Sequence, residues 1–193
     1  MVWVPLGERA WTVTPAPAGA AEALMADPPS WLVEAWPCGD RLALVVAGEP
    51  DRAEIEATIR AAGTDFAPRT VEIPTTYDGP DLATSAEALG LAPDDLARLH
   101  AATLYTCAAV GFCPGFGYLE SLPPALRGLP RLGSPRTRVP AGSVAIAGER
   151  TAVYPLDRPG GWRLIGRTEL PMVHVGDGLF RLRVGDHVRF VPA

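Results

Sequence analysis

Between residues 9 and 74 the hydrophobic positions switch between a period of two and a period near 3.6, the marks of strand and helix. "RAWTVTP" (9–15), "WLVEAW" (31–36) and "RLALVVAG" (41–48) read as strands, with the turn "PCGD" joining the last two. "AGAAEALMAD" (18–27) and "PDRAEIEATIRAAG" (50–63) carry helical spacing, the second with Pro near its start and Gly at its end. A short strand, "RTVEIP" (69–74), follows. The order β-α-β-β-α-β is the split βαβ, or ferredoxin-like, pattern of a small α/β domain. Next comes a helical pair: "DLATSAEALG" (81–90), and "APDDLARLHAA" (92–102), which opens with Pro93, Asp94 and Asp95 where a helix N-terminus favours them. From Gly111 onward Pro and Gly punctuate short apolar runs such as "GSVAIAG", "TAVYP", "WRLIG", "LFRLRV" and "HVRFV", a texture that predicts a barrel or a sandwich. The chain is therefore expected to divide near "PTTYDGP", with residues 1–78 as the small domain and 79–193 as a β domain led by the helical pair.

Composition narrows the chemistry. With 193 residues and 48% hydrophobic content the chain can bury a substantial core. The N-terminus has no basic flank followed by a continuous apolar run, and no stretch is long and uncharged enough to span a bilayer, so a cytoplasmic, non-membrane protein is expected. Three cysteines without a CxxC pair predict reduced, packed thiols rather than a disulfide framework. Lysine, asparagine and glutamine are absent. Abundant Ala, Arg, Gly and Pro point to codon bias as the cause, but the consequence stands whatever the cause. A Walker-type phosphate loop and Schiff-base chemistry are excluded, and polar recognition falls to arginines, carboxylates, hydroxyls, three histidines and the backbone.

The charges are also uneven: residues 1–110 hold 6 Arg against 16 Asp and Glu, and residues 111–193 hold 11 Arg against 6. The second part is thus suited to a carboxylate or phosphate, or to an acidic partner surface. The chain as a whole is acidic, and no base-reading element accompanies the arginines, so nucleic acid is excluded as a partner.

Three segments carry candidate chemistry. In "GFCPGFGYLESLP" (111–123), Gly115 is a site of close backbone approach, and Phe112, Phe116 and Tyr118 either wall an apolar pocket or cap a barrel. In "RLGSPRTRVPAGSVAIAGERTAVYP" (131–155), Arg131, Arg136 and Arg138 form either an anion site or a solvated interface. Ser143 of that segment, outside any GxSxG elbow, is a strand-entry hydroxyl or a ligand contact. In "RPGGWRLIGRT" (158–168), the glycines let Trp162 cover a pocket floor, or fill core, while Arg167 and Thr168 emerge at the rim. The histidines are too scattered for a metal site. His100 ends the helix leading towards the glycine-rich stretch and is the one retained as an acid/base candidate, against the alternative of a structural residue. Among the arginines, Arg136 and Arg167 are the catalytic candidates and Arg138 a binding candidate.

"GFCPGFGYLESLP", "PRTRVPAGSVAIAGERTAVYP" and "PGGWRLIGRT", in this order and spacing, resemble the family of allophanate hydrolase subunit 1, the kinase-inhibitor protein KipI and the B component of 5-oxoprolinase. "PLGERA", "LHAATLY" and "LGLAPDDLARLH" extend the resemblance over nearly the whole chain. It implies an α+β protein in which the small ferredoxin-like domain precedes a cyclophilin-like β-barrel. It also implies a partner of the KipA or allophanate hydrolase subunit 2 type and a further LamB/YcsF-type subunit. The complex would use ATP, with Mg2+, to open 5-oxo-L-proline to L-glutamate. The alternatives it leaves open are a carboxyltransferase component of urea and amide metabolism, and a KipI-like inhibitor of a sensor kinase. Thr151 and Tyr154, within the matching segments, complete the set expected to bind substrate or nucleotide. The chain departs from the family pattern at one position, where Arg150 instead of Gln precedes Thr151.

Overall fold

In this computed structural model the described residues are 1–17, 19–38, 40–62, 67–174 and 179–193. The chain forms two compact units, Met1–Pro68 and Arg69–Ala193.

The first unit contains β1 (Val2–Pro5), β2 (Ala10–Thr14), α1 (Ala20–Ala26), β3 (Leu32–Cys38), β4 (Arg41–Val46) and α2 (Arg52–Ala61). Its antiparallel sheet has the order β1-β2-β4-β3, so β4 lies between the two strands that α1 connects. This is the expected split βαβ. Val13, Leu24, Leu42, Leu44, Ile55 and Ile59 close its core. Asp51 caps α2 by accepting from the Ala53 N–H at 3.0 Å. Gly39 of the expected turn, Gly63 at the expected end of α2, and Ala18 at the expected start of α1 lie outside the described residues.

One strand departs from expectation. The edge of the small sheet belongs to β1, whose four residues are too short a run to read as a strand from their pattern, and not to the segment at 69–74. That segment, β5 (Thr70–Thr75), pairs in parallel with the C-terminal strand β15 (His187–Pro192) of the second unit. Side-chain periodicity marks a segment as a strand without naming its neighbour, and here the long-range partner wins.

The second unit continues with α3 (Leu82–Ala88), α4 (Pro93–Ala101), β6 (Leu104–Val110), β7 (Gly117–Glu120), a 3-10 turn at Pro124–Leu126, β8 (Arg136–Val139), β9 (Ser143–Ala147), β10 (Arg150–Val153), β11 (Arg158–Gly160), β12 (Arg163–Arg167), β13 (Val173–His174) and β14 (Leu179–Phe180). Seven strands form one mixed sheet of order β12-β9-β10-β7-β6-β15-β5. Its two edges meet where Thr76 and Arg167 exchange both backbone hydrogen bonds, each at 2.9 Å, and the sheet becomes a nearly closed barrel. Ile73, Tyr105, Leu119, Val144, Ile146, Ile165, Val188 and Phe190 fill it. Outside, β8 and β11 form a ribbon, and a second cluster, Phe116, Val139, Ala145, Tyr154, Trp162 and Leu164, packs together.

A buried carboxylate ties the start of β5 to the turn before β15. Asp186 accepts from the Arg69 side chain at 2.6 Å and from the Arg183 N–H at 2.9 Å. Burial pushes its pKa up, but the hydrogen bonds from Arg69 and from the Arg183 backbone outweigh this and hold it below the ordinary carboxylate range.

The seam requires glycine at 166, because a Cβ there would lie 2.5 Å from the Thr76 carbonyl oxygen. Gly166→Ala is therefore expected to cost about 2 kcal/mol of stability, since the obstacle is backbone that cannot swing aside. Denaturant titration measures the loss; a change below about 0.5 kcal/mol would show that the seam can open without cost.

Candidate functional site

Strand alternation decides what each part of the barrel wall presents. On β7, β9 and β10 the side chains of Leu119, Val144, Ile146 and Val153 join the interior core. The intervening Tyr118, Glu120, Ala147 and Arg150 line a cleft of about 600 Å3 on the other face, together with Ser121, Arg127, Leu129, Pro130, Arg131, Gly148, Glu149 and Trp162.

The cleft is held by short backbone links. The Gly128 N–H donates to the Gly148 carbonyl at 2.8 Å and the Gly148 N–H to the Leu129 carbonyl at 2.7 Å, fastening the loop after β7 to the β9–β10 turn. Trp162 packs edge-on against Phe116 at 5.6 Å and Tyr118 at 6.0 Å. The Arg150 guanidinium lies over the Tyr118 ring and donates to Glu120 at 2.8 Å. Arg127 donates through Nε to the Leu122 carbonyl at 2.6 Å, which fixes the root of its guanidinium. Neither Arg127 nor Arg131 has a carboxylate partner among the described residues. Ser121 holds a left-handed φ of 81°, a conformation that costs a non-glycine residue about 1–3 kcal/mol and recurs at ligand sites. An aromatic wall beside two guanidiniums without acid partners among the described residues suits an anion carried on a planar or apolar body.

Of the residues singled out in the sequence, Tyr118, Arg131 and Trp162 line this cleft. Trp162 is only 7% exposed and packs in the flanking aromatic cluster, and its remaining surface borders the cleft. Phe116 backs the wall, with Tyr154 and the exposed Phe112 on its other side at 5.3 and 5.2 Å. Tyr154 sits where Gly160 leaves room: a Cβ at residue 160 would fall 2.2 Å from its hydroxyl oxygen. Gly115 is buried against Met172 and Val173. Ser143 donates to the Pro140 carbonyl at 2.7 Å, and Thr168 accepts from the Leu170 N–H at 3.1 Å; both are turn-stabilising hydroxyls in this structure.

The other charged candidates are placed elsewhere. Arg136 is half-buried and donates to Asp81 at 2.7 Å, while the other Asp81 oxygen accepts from the Leu164 N–H at 2.7 Å. Arg138 pairs with Asp157 on the surface. Arg167 stands at the barrel seam between Asp78 at 2.9 Å and Glu169 at 3.0 Å. None of the three lines the cleft.

His100 lies on the opposite side of the wall, wholly buried. Thr151 donates its one hydroxyl hydrogen to the Ala145 carbonyl at 2.9 Å, so it accepts from the His100 Nε2–H at 2.8 Å. Nδ1 is then the acceptor for the Tyr77 hydroxyl, also at 2.8 Å. Burial lowers the His100 pKa to about 3 and keeps the ring neutral. His100 and Thr151 form an internal strut from α4 to β10, sealed from the cleft that the neighbouring Arg150 enters. His187 lies in β15.

Pattern alone does not single out Glu120, Ser121, Arg127 or Glu149. The signal for Glu120 is present in the alternation of "GYLE", which puts it on the Tyr118 face; the others are loop residues without periodicity. Among the described residues no group of three or more His, Cys, Asp or Glu side chains is arranged to hold a metal ion, and no helix is long and apolar enough to cross a membrane.

Residues 5–177 match the model of the carboxyltransferase domain, subdomain C and D. The chain belongs to this carboxyltransferase family. It is 49% identical over 128 residues to the B component of 5-oxoprolinase from Escherichia coli O157:H7, covering 64% of this chain and 58% of the relative. It is 42% identical over 127 residues to the corresponding 5-oxoprolinase component of Bacillus subtilis strain 168, covering 64% and 52%. The matched region thus spans little more than half the length of these curated relatives. Among solved structures, TTHA0988 superposes with a TM-score of 0.85 at 38% identity, over 96% of this chain and 40% of that one.

Two outcomes follow from the placements. Arg136→Ala, which removes the cation partner of the buried Asp81, is expected to lower stability by about 1–3 kcal/mol, while Arg138→Ala changes it by less than about 0.5 kcal/mol. Thermal or denaturant unfolding of the pair checks the contrast, and equal behaviour would refute it. For His100, the folded pKa lies below the ordinary value near 6.5, so the unfolded chain takes up a proton that the folded chain refuses. Stability should fall as pH drops below about 6.5, by up to about 1.4 kcal/mol per pH unit, until the folded pKa is approached. An NMR titration should find the His100 ring resonances unchanged through the range where exposed histidines titrate; a midpoint near about 6 would contradict the sealed strut.

Proposed function

We propose that this chain is one subunit of an ATP-consuming hydrolase that opens 5-oxo-L-proline to L-glutamate, acting with a KipA-like subunit and a LamB/YcsF-type subunit. The observation that carries the reading is its identity of 49% and 42% to two proteins named as the B component of 5-oxoprolinase. The arginine-lined cleft supports it chemically. A lactam amide is unreactive. Transfer of the ATP γ-phosphoryl group to its carbonyl oxygen, with ADP leaving, activates the carbon, so that one water adds there and the ring C–N bond breaks with the nitrogen taking up a proton. A second water then releases phosphate from the acyl phosphate to leave glutamate. Cationic donors stabilise the charge that builds on the transferred group.

In this reading Arg127 and Arg131 hold the anionic part, Trp162 and Tyr118 seat the planar part, and the Arg150–Glu120 pair borders it. Mg2+ accompanying ATP is commonly held by one or two carboxylates and the phosphates themselves. Glu149, without a cation partner among the described residues, is the cleft carboxylate available for this. The remaining catalytic groups are assigned to the partner subunits.

The name of the matching family favours a second reading, a carboxyltransferase component using carboxybiotin and an amide such as urea. Co-purification with a KipA-like subunit, then assay of 5-oxoproline-dependent ADP and glutamate release with and without the LamB/YcsF-type protein, separates the two. The chain alone should be inactive and the complete complex active, with Arg127→Ala lowering kcat/KM by about tenfold to a hundredfold while leaving assembly and melting temperature unchanged. Silence of the complete complex towards 5-oxoproline, with biotin-dependent turnover of urea, would replace the first reading by the second.

A further inference from the structure

The small unit holds a cavity of its own, about 470 Å3, built where the ends of β1, β2 and β4 meet the start of α2. Its apolar surface comes from Trp3 and Trp11, whose rings meet at 75° with centroids 6.3 Å apart, over buried Val46 and Ile55. Trp3 is locked in place by donating from Nε1 to Glu56 at 2.8 Å. Four charged side chains stand around this corner: Glu8 and Arg9 from the loop after β1, Glu49 from the turn after β4, and Arg52 from the first turn of α2. Among the described residues none of the four forms an ion pair. The Arg52 guanidinium instead lies 5.3 Å from the centre of the Trp3 ring.

Charges of both signs line one cavity without pairing with each other, and being exposed they are open to a ligand that carries both an anion and a cation. An α-amino acid answers both while presenting a side chain to the aromatic corner. We propose that this cavity binds a free zwitterionic amino acid. Its carboxylate meets Arg9 and Arg52, its ammonium meets Glu8 and Glu49, and its side chain rests on the indoles of Trp3 and Trp11. The site is separate from the barrel cleft and does not depend on the function proposed for that cleft.

A thermal-shift screen of the full chain against the twenty standard L-amino acids identifies the probe that raises the melting temperature most. That amino acid is then titrated calorimetrically beside its decarboxylated amine and its deaminated acid. The zwitterion should bind at least about tenfold more tightly than either singly charged analogue. Glu49→Gln and Arg52→Gln should each weaken it by about tenfold while leaving the ligand-free melting temperature unchanged. The proposal is overturned if no amino acid raises the melting temperature, if the amine or the acid binds as well as the zwitterion, or if both variants retain full affinity. It is also overturned if the variants lose only the ability to co-purify with a KipA-like subunit, because the cavity is then a docking surface.

Discussion

Closure of the seven-stranded sheet is the constraint on which the larger unit depends. An open sheet leaves a row of unpaired N–H and C=O groups at each edge. Here the edges are brought together by the reciprocal pair between Thr76 and Arg167, and Gly166 allows the two backbones to approach closely enough. Closure gives the wall an inside and an outside. Every second residue of β7, β9 and β10 then joins the dry interior and its neighbours are displayed on the outer face. The sealed His100–Thr151 strut and the open arginine cleft are consequences of this single division, separated by one peptide bond between Thr151 and Arg150.

The electrostatics of the cleft follow from what is paired elsewhere. Arg136, Arg138 and Arg167 are each paired with an acid, so the excess of arginine after residue 110 does not amount to one broad basic face. The cleft guanidiniums without an acid partner among the described residues are those of Arg127 and Arg131, on a loop clipped to the β9–β10 turn. A fixed backbone with free guanidinium ends is pre-organised for an anion, since little ordering remains to be done on binding. Arg150 adds a cation at the rim that Glu120 already balances.

Much of this was legible in the chain. The split βαβ, the helical pair at 82–101 and the β-rich remainder follow from local periodicity, because a segment that must bury one face has to repeat its apolar residues at the pitch of its backbone. Phe116 and Tyr118 of the glycine-rich segment and Trp162 stood out separately, but that they pack with Tyr154 into one cluster appears only in the fold. Where local pattern and long-range pairing compete, pattern is silent: nothing within Thr70–Thr75 says that its neighbour is the last strand of the chain rather than the small sheet.

The sequence by itself determined the family, most of the order of elements, and the residue types available for chemistry, because these depend on composition and on short-range spacing. It could not sort the arginines into those held by carboxylates and those left to meet a ligand. Arg136 and Asp81 are 55 positions apart and Arg167 and Asp78 are 89, yet each pair is within hydrogen-bonding distance in the folded chain. Only the tertiary structure brings such partners together, and an ionic interaction that falls away with distance is decided by where the chain places the charges, not by their order along it.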